Sequence, residues 1–239
     1  MTGHIVVTGA ASGIGAAVAD RAEADGWTVA RLDREYDGLD VAGGRYHVDV
    51  AEFDSAATTV DVITSHWGRA PDAVVHAAGI YRVRPATSVA ERDWDESLTV
   101  NARGSFVVAR AIADSMIQAG TGGSVVLLGS VAALRGDAVE PSAAYSASKG
   151  AVSALIRQLA VEWGRSGIRV NGVMPGVIDT AMTTLLQNAE ATADFLAALP
   201  MGRLGRADEV AAACMFLAGS QSSYVTGIEM AVDGGYLVS

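Results

Sequence analysis

Short runs rich in Val, Ile and Leu alternate along this chain with longer stretches of helical character. Two of the runs, AVV at 73–75 and VVLL at 125–128, are continuously apolar, which is typical of strands buried on both faces of a sheet. A regular alternation of strand and helix indicates parallel strands joined by helical crossovers. The pattern therefore predicts an α/β fold, a doubly wound three-layer sandwich around a mostly parallel sheet of about seven strands.

The predicted elements can be bounded from the sequence. The strands are Ile5–Thr8, Trp27–Asp33, Arg45–Val48, Ala73–His76, Ser124–Leu128, Arg169–Met174 and Ile228–Val232. The helices are Ile14–Asp25, Asp54–His66, Glu91–Gln118, Ala143–Arg165 and Ala207–Ala218. We interpret all 239 residues as one domain. Segment 180–206 is predicted to be a short helical lid over the site, with an ordinary surface excursion as the alternative.

Composition narrows the classes of function. The net charge of −10 argues against nucleic acid or an anionic membrane as a partner, because phosphate binding needs a basic face. No apolar run is long enough to span a bilayer, and no leader pattern precedes the first strand. The only cysteine, Cys214, lies in an apolar run and is expected to be buried and inert. We therefore expect a soluble, cytoplasmic protein without a metal.

A glycine-rich turn follows the first predicted strand. TGAASGIG at Thr8–Gly15 has the spacing Gly-x-x-x-Gly-x-Gly and opens the first predicted helix. Glycines let the backbone turn sharply and approach a pyrophosphate, and the helix N-terminus offers free N–H groups to phosphate. A glycine pattern at a strand–turn–helix position is stronger than one found alone. This segment therefore predicts a dinucleotide site.

Side chains at the ends of the next strands refine that prediction. Asp33 ends the second strand, where a carboxylate accepts hydrogen bonds from an adenine ribose and repels a 2′-phosphate, so it favours NAD over NADP. Arg34 keeps NADP open, since arginine can contact that phosphate. Asp49 and Val50 follow the third strand and could meet the adenine, although a turn aspartate is as good an interpretation of Asp49. His76 is interpreted as a hydrogen-bonded histidine at a strand end.

A tyrosine and a lysine form the candidate chemical group. Lys149 is the only lysine among 17 basic residues, and Tyr145 stands four positions before it. Lysine is a compact charge that can exchange protons, a task that arginine does not perform. On a helix the two residues share one face, and a neighbouring ammonium should lower the pKa of the phenol. The pair is a candidate proton-transfer device; an exposed Tyr–Lys contact is the alternative for an isolated motif.

Taken together, these motifs resemble the short-chain dehydrogenase/reductase family over essentially the whole chain. The matching segments are TGAASGIG at 8–15, Asp33, Asp49-Val50, HAAG at 76–79, Asn101, Ser130, YSASK at 145–149, PGVIDT at 175–180, GRLGRADEV at 202–210 and VDGG at 232–235. The resemblance implies a Rossmann-type fold, a nicotinamide cofactor and hydride exchange between an alcohol and a carbonyl compound.

The resemblance also implies roles for individual residues. Tyr145 would be the general acid-base, Lys149 would lower its pKa and hold the nicotinamide ribose, Ser130 would bind the substrate oxygen, and Asn101 would position a water that links Lys149 to solvent. The implied cofactor contacts further include Gly9, Ser12, Gly13, Ile14, Gly15, Asp33, Arg34, Asp49, Val50, Ala77, Ala78, Gly79, Pro175, Gly176, Ile178 and Thr180. Ser142 is a less favoured alternative to Ser130.

Two features depart from the family pattern. The family usually has asparagine where His76 stands, which puts the local hydrogen bonding in doubt. The segment between Ser130 and Tyr145 is slightly long, and its insert near Gly136–Pro141 is interpreted as substrate-pocket variation.

The predicted substrate pocket is mainly apolar. Its expected walls are Ser130, Val131, Ala132, Val139, Tyr145, Val177, Met182, Leu186 and Tyr81. These residues suggest a hydrophobic or alicyclic secondary alcohol or its ketone. Arg82, Arg84 and Arg135 could instead hold an acidic substrate, although we expect them to be solvated.

The sequence favours an NAD-dependent alcohol dehydrogenase and leaves alternatives open. These are an NADP-dependent carbonyl reductase, an epimerase or lyase that retains its cofactor, and a silent dinucleotide-binding protein. The two long helices carry more apolar positions than one sheet face needs, so a homotetramer or homodimer is expected.

Overall fold

The strands form one sheet at the centre of the protein. The structure is a computed structural model that describes residues 3–185 and 189–239. Its strands are β1 (His4–Thr8), β2 (Thr28–Asp33), β3 (Leu39–Asp40), β4 (Arg45–His47), β5 (Ala73–His76), β6 (Gly123–Leu128), β7 (Ile168–Pro175) and β8 (Glu229–Val232). Their order across the sheet is β3-β4-β2-β1-β5-β6-β7-β8. Every pairing is parallel except that of β3 with β4, which confirms the predicted doubly wound α/β fold.

The strand order reverses between β1 and β5. Thr8 and His76, the last residues of these two strands, stand side by side in the register. Chain connections leave β1 in one direction and β5 in the other, so a crevice opens beyond their carboxyl ends. This is where the glycine-rich turn and the strand-end residues of the sequence are brought together.

The part of the chain that the structure describes contains seven α-helices, and the longer ones cover the sheet. They are α1 (Gly13–Ala24), α2 (Ser55–Trp67), α3 (Glu91–Ser97), α4 (Gly104–Ala119), α5 (Ala143–Trp163), α6 (Ala189–Ala198) and α7 (Ala207–Ala218). Helices α2 and α4 each end at a glycine in the left-handed region, Gly68 and Gly120. Glycine adopts that conformation without the steric cost of a Cβ atom, so it ends a helix readily.

Two hydrophobic cores form, one on each face of the sheet. Val6 and Val74 belong to the core that includes α2, α4 and α5, whereas Val7 and Val75 belong to the core that includes α1 and α7. Successive strand residues point to opposite faces, so continuously apolar strands are the expected result of burial on both sides. Cys214 is fully buried in the second core, as predicted, and burial raises the pKa of its thiol to about 12.

Two details differ from the predicted elements. The predicted helix Glu91–Gln118 is divided into α3 and α4 by a π-helical segment, Leu98–Arg103. The short antiparallel strand β3 was not predicted, because two exposed residues leave no hydrophobic pattern. Within the predicted lid, the structure has helix α6. Within residues 3–185 and 189–239, none of the helices combines the length and the apolar character needed to cross a membrane.

Candidate active site

One cavity of about 660 Å³ lies at the carboxyl ends of the central strands. Most of the residues predicted for the cofactor and substrate line it. They are Gly9, Ser12, Gly13, Ile14, Gly15, Asp33, Arg34, Asp49, Val50, Tyr81, Ala77, Ala78, Gly79, Ser130, Val131, Ala132, Tyr145, Lys149, Pro175, Gly176, Val177, Ile178, Thr180 and Met182. Residues spread over 170 positions of sequence thus form one surface, as the order of the strands requires.

The glycine-rich turn is packed too tightly for side chains. A Cβ atom on Gly15 would lie 2.1 Å from the carbonyl oxygen of Gly9. Gly9 has φ +66°, and a Cβ there would come within 2.8 Å of the Ala78 amide nitrogen. Gly13 also has positive φ, and it begins helix α1. The turn therefore presents bare backbone and the N-terminus of α1 to the cavity, which suits a pyrophosphate.

The carboxylate at the end of β2 is held in place by backbone donors. The amide of Ala11 donates to Oδ2 of Asp33 at 3.0 Å, and the amide of Glu35 donates to Oδ1 at 3.0 Å. Arg34 is exposed, and its Nε donates to the Glu35 carboxylate at 3.2 Å. Asp33 is thus preorganised beside the glycine-rich turn, while the arginine that could contact a 2′-phosphate already has an acidic partner.

Asp49 makes a turn contact and also lines the cavity. Its Oδ1 accepts a hydrogen bond from the Ala51 amide at 2.9 Å, which is a local turn contact. Asp49 and Val50 also line the cavity. The turn therefore fixes the residues that border the cofactor end of the cavity.

His76 is a buried strand-end histidine, as predicted. Its Nδ1 lies 2.8 Å from Oγ1 of Thr8, which in turn accepts a hydrogen bond from the Ala78 amide. Its Nε2 has no hydrogen-bond partner among the described residues. Burial, together with the charge of Lys149, lowers the pKa of His76 to about 3. The imidazole is therefore neutral and links β1 to the residues that follow β5.

Asn101 is completely buried in the π-helical segment and does not line the cavity. Its Oδ1 accepts from the amide of Ile80 at 2.8 Å, and its Nδ2 donates to the carbonyl oxygen of Ile80 at 3.0 Å and to Oγ of Ser148 at 3.0 Å. The side chain thus joins the loop that follows β5 to helix α5. π-Helical turns often occur at functional sites because they redirect one residue of a helix.

Tyr145, Ser130 and Lys149 converge in the middle of the cavity. Tyr145 and Lys149 lie on one face of α5, with the ammonium 5.7 Å from the centre of the tyrosine ring. Ser130 follows β6, and its Oγ accepts a hydrogen bond from the Ala132 amide at 3.2 Å. Ser142, the alternative serine, also lines the cavity, directly before α5. Strand β6 and helix α5 therefore bring the three predicted groups together.

The pKa of Tyr145 differs from the sequence-based expectation. Burial raises the pKa of this phenol, and the Ser130 side chain, rather than Lys149, opposes the rise. The reason is the position of Lys149, whose Nζ donates a hydrogen bond to the carbonyl oxygen of Leu128 at 2.7 Å. Burial lowers the pKa of Lys149 to about 8, so its own charge is costly in this environment.

The substrate end of the cavity is more polar than predicted. Asp137, Glu140 and Ser142 line it together with the apolar residues. Val139 is 64% exposed and lies outside the cavity lining, because Oδ1 of Asp137 accepts from the Val139 amide in a tight turn whose tip points outward. Leu186, the other predicted wall residue, lies outside the described residues. The hydrophobic-pocket interpretation is therefore only partly correct.

The three arginines near this end are partly exposed, and each has a protein partner. Arg82 pairs with Glu96 at 2.6 Å, and Arg84 pairs with Asp93 at 2.7 Å. Arg135 donates to the carbonyl oxygen of Ser239 and stacks 4.3 Å from the centre of the Tyr236 ring.

Known proteins resemble this chain over nearly its full length. A family model described as enoyl-(acyl carrier protein) reductase matches residues 9–237. D-Threitol dehydrogenase of Mycolicibacterium smegmatis is 35% identical over 98% of this chain and 92% of its own. Galactitol 2-dehydrogenase (L-tagatose-forming) of Cereibacter sphaeroides is 37% identical over 97% of this chain and 94% of its own.

Solved structures also resemble this chain over nearly its full length. A short-chain type dehydrogenase/reductase from Mycobacterium marinum has a TM-score of 0.92 and 32% identity, covering 99% of this chain and 96% of its own. A proposed NAD(P)-dependent gluconate 5-dehydrogenase from Beutenbergia cavernae, with NADP bound at low occupancy, has a TM-score of 0.89 and 35% identity over 99% and 97%. With its glycine-rich turn, its Tyr–Lys pair and these relatives, the chain belongs to the short-chain dehydrogenase/reductase family.

Proposed function

We propose that this protein is an NAD-dependent dehydrogenase that interconverts a secondary alcohol and a ketone, with Tyr145 as the general acid-base. The observation that carries the proposal is the convergence of Tyr145, Ser130 and Lys149 in the cavity that the glycine-rich turn also lines. The named relatives act on threitol and galactitol, which supports an oxidoreductase of CH–OH groups.

The residues present fit a nicotinamide dinucleotide. Bare backbone at Gly9, Gly13 and Gly15 suits the pyrophosphate, and Asp33 suits the adenine ribose. Ile178 and Thr180 also line the cavity, with Thr180 near Gly13 of the turn, and would contact the nicotinamide amide and nearby phosphates. When bound, the cofactor supplies the acceptor or donor of the hydride.

The protein's own groups handle the proton. Alcohol oxidation requires the hydroxyl proton to leave as the hydride departs, and we assign that proton to the phenolate oxygen of Tyr145. Ser130 would donate to the substrate oxygen and orient it beside the phenol. Lys149 is protonated below its pKa of about 8. That charge would favour the phenolate of Tyr145 once a ligand draws Nζ away from the carbonyl oxygen of Leu128. A positioned base is worth about 10²–10⁴-fold in such a step.

Segment 180–206 is proposed as a lid over this chemistry. Leu185 and Leu199 are buried and anchor the segment, and a backbone bridge between Ile178 and Gly205 closes its base. Met182, which precedes Leu185, is half exposed and lines the cavity. Such a segment can exclude water when substrate is bound.

The charges around the end of β2 support a preference for NAD. Asp33 and Glu35 both line the cavity, and Glu35 occupies Arg34. The 2′-phosphate of NADP would therefore meet the carboxylates of Asp33 and Glu35, and the guanidinium of Arg34 is already paired with Glu35. One structural neighbour nevertheless has NADP bound.

The test is a steady-state assay with NAD and NADP across a panel of secondary alcohols. We expect turnover with NAD, and Asp33→Asn should lower the ratio of kcat/KM for NAD over NADP by about 10-fold or more, since it removes the repelling charge. Asp37→Asn, which removes an exposed carboxylate outside the cavity lining, should leave the ratio unchanged. Turnover with NADP alone would refute the NAD assignment.

A further inference from the structure

A carboxylate that takes no part in the proposed proton transfer lies at the substrate end of the cavity. Glu140 lies in the insert before α5, is half-buried and lines the cavity. Building on the proposed dehydrogenase function, we propose that Glu140 is a specificity-determining residue: it accepts a hydrogen bond from a hydroxyl group remote from the reacting carbon, and so selects neutral polyols as substrates.

Two neighbours hold the Glu140 carboxylate in a defined place. The hydroxyl of Tyr81 donates to Oε2 at 3.2 Å, and Oγ1 of Thr184, in the proposed lid, donates to Oε1. The Tyr81 ring packs edge-on against Tyr145, with centroids 4.8 Å apart and planes at 76°. The carboxylate therefore stands one aromatic ring away from the reacting phenol, a separation suited to a hydroxyl farther along the substrate chain.

Asp137 builds the turn that presents Glu140. Oδ1 of Asp137 accepts from the amides of Val139 at 2.7 Å and Glu140 at 3.2 Å, and Oδ2 accepts from the hydroxyl of Tyr236 at 3.4 Å. Both oxygens of Asp137 thus accept hydrogen bonds from the protein itself. Each oxygen of Glu140 accepts one hydrogen bond, whereas an ionised carboxylate has about four lone-pair positions that can accept. The remaining positions can only accept, so they require hydrogen-bond donors such as hydroxyl groups.

The charge of Glu140 also excludes some substrates. Among the described residues at this end of the cavity, Arg82 pairs with Glu96, and Arg135 donates to the carbonyl oxygen of Ser239 and stacks on the Tyr236 ring. An acidic substrate would bring a second negative charge toward Glu140. Like charges at short range in a partly buried site are unfavourable. The site therefore suits an uncharged chain of hydroxyl-bearing carbons and disfavours a sugar acid or 3-hydroxy acid.

The test compares substrates that differ in their remote hydroxyl groups. Threitol, 2-butanol and gluconate are assayed with the wild type and with Glu140→Gln, which keeps the shape and removes the charge. Hydrogen bonds to charged groups are stronger than neutral ones, so the ratio of kcat/KM for threitol over 2-butanol should fall about 10–100-fold. The loss should be mainly in KM, since the contact is equal in the ground and transition states. The relative activity on gluconate should rise.

A matched variant separates selection from mere support. Glu162→Gln removes the same charge near the far end of α5, about 28 Å along the helix from its first residue at 1.5 Å per residue, and should leave the ratio unchanged. If the ratio of kcat/KM for threitol over 2-butanol in Glu140→Gln stays within about 2-fold of wild type, Glu140 is a structural residue and the proposal is wrong.

A binding measurement keeps this proposal distinct from the proposed function. Calorimetric titration of threitol into the NADH-saturated protein reports the contact without turnover. Threitol binding that weakens at least about 10-fold in Glu140→Gln supports the proposal even if no alcohol is oxidised. Equal threitol binding by the two proteins overturns it, whichever reaction the enzyme proves to catalyse.

Discussion

At the scale of single residues, the Tyr145–Lys149 pair illustrates what spacing can predict. A separation of four positions on a helix placed both side chains on one face, and the structure agrees. The effect of Lys149 on the phenol could not be predicted, because it depends on where the ammonium donates its hydrogen bond. That partner is the carbonyl oxygen of Leu128, at the end of a distant strand.

In the sequence, Glu140 is one residue of the insert near Gly136–Pro141, and no local pattern singles it out. Its significance depends on contacts with Tyr81 and Thr184, 59 and 44 positions away along the chain. No local pattern encodes such contacts. The glycine-rich turn and Asp33 could be predicted to meet at the cavity because glycine spacing and strand-end acids are local features, whereas the insert that contains Glu140 is a loop whose path the pattern does not fix.

His76 should make the folded protein sensitive to acid. Its folded pKa is about 3, below the ordinary 6.5, because it is buried beside Lys149. Below pH 6.5 the unfolded chain binds a proton that the folded protein does not, so stability is lost as pH falls from 6.5 toward 3. This loss of stability can reach about 1.4 kcal/mol per pH unit, and we expect it to be absent from His76→Asn.

The measurement is the free energy of unfolding in urea between pH 6.5 and 4.5. The slope of stability against pH is compared, so that any constant cost of the substitution cancels. His66→Asn, which changes an exposed histidine in the last turn of α2, serves as the control and should keep the wild-type slope. Equal slopes for wild type and His76→Asn would show that His76 does not exclude the proton.

At the scale of elements, the strands were predicted to within a few residues and the helices less completely. Runs of Val and Ile identify buried strands because both faces need apolar side chains. The break between α3 and α4 was missed because the apolar pattern continues through Leu98–Arg103. Its cause is tertiary: the Asn101 side chain binds the backbone of Ile80 on a neighbouring segment.

The contact between β1 and α1 depends on a missing side chain. A Cβ at Gly15 would lie 2.1 Å from the Gly9 carbonyl oxygen, a distance that real contacts do not reach. We expect Gly15→Ala to push α1 away from the turn, to lower stability by about 1–3 kcal/mol, and to weaken NADH binding. Urea unfolding and NADH fluorescence titration measure the two effects.

Gly164→Ala is the matched control for this substitution. Gly164 has helical backbone angles, and a Cβ there would meet nothing within 4 Å. Stability and NADH binding should therefore be unchanged or slightly improved. If Gly15→Ala matches this control in both measurements, the close packing of the turn is not what shapes the cofactor site.

At the scale of the whole molecule, strand order explains why distant motifs meet. The reversal between β1 and β5 opens the crevice, and each motif lies at a carboxyl end beside it. Association through the long helices stays a prediction. Val161 on α5 is 80% exposed, an apolar side chain that a homodimer or homotetramer would cover.

The central claim is that this cavity carries out hydride transfer with Tyr145 as its acid-base. The most direct test measures kcat/KM for alcohol oxidation and the Kd for NADH in Tyr145→Phe, with Tyr224→Phe, a fully exposed tyrosine, as the control. We predict a loss of about 10²–10⁴-fold in kcat/KM for Tyr145→Phe, with Kd for NADH within about 3-fold of wild type, and no change in the control. A Tyr145→Phe protein that keeps most of its activity would contradict the account.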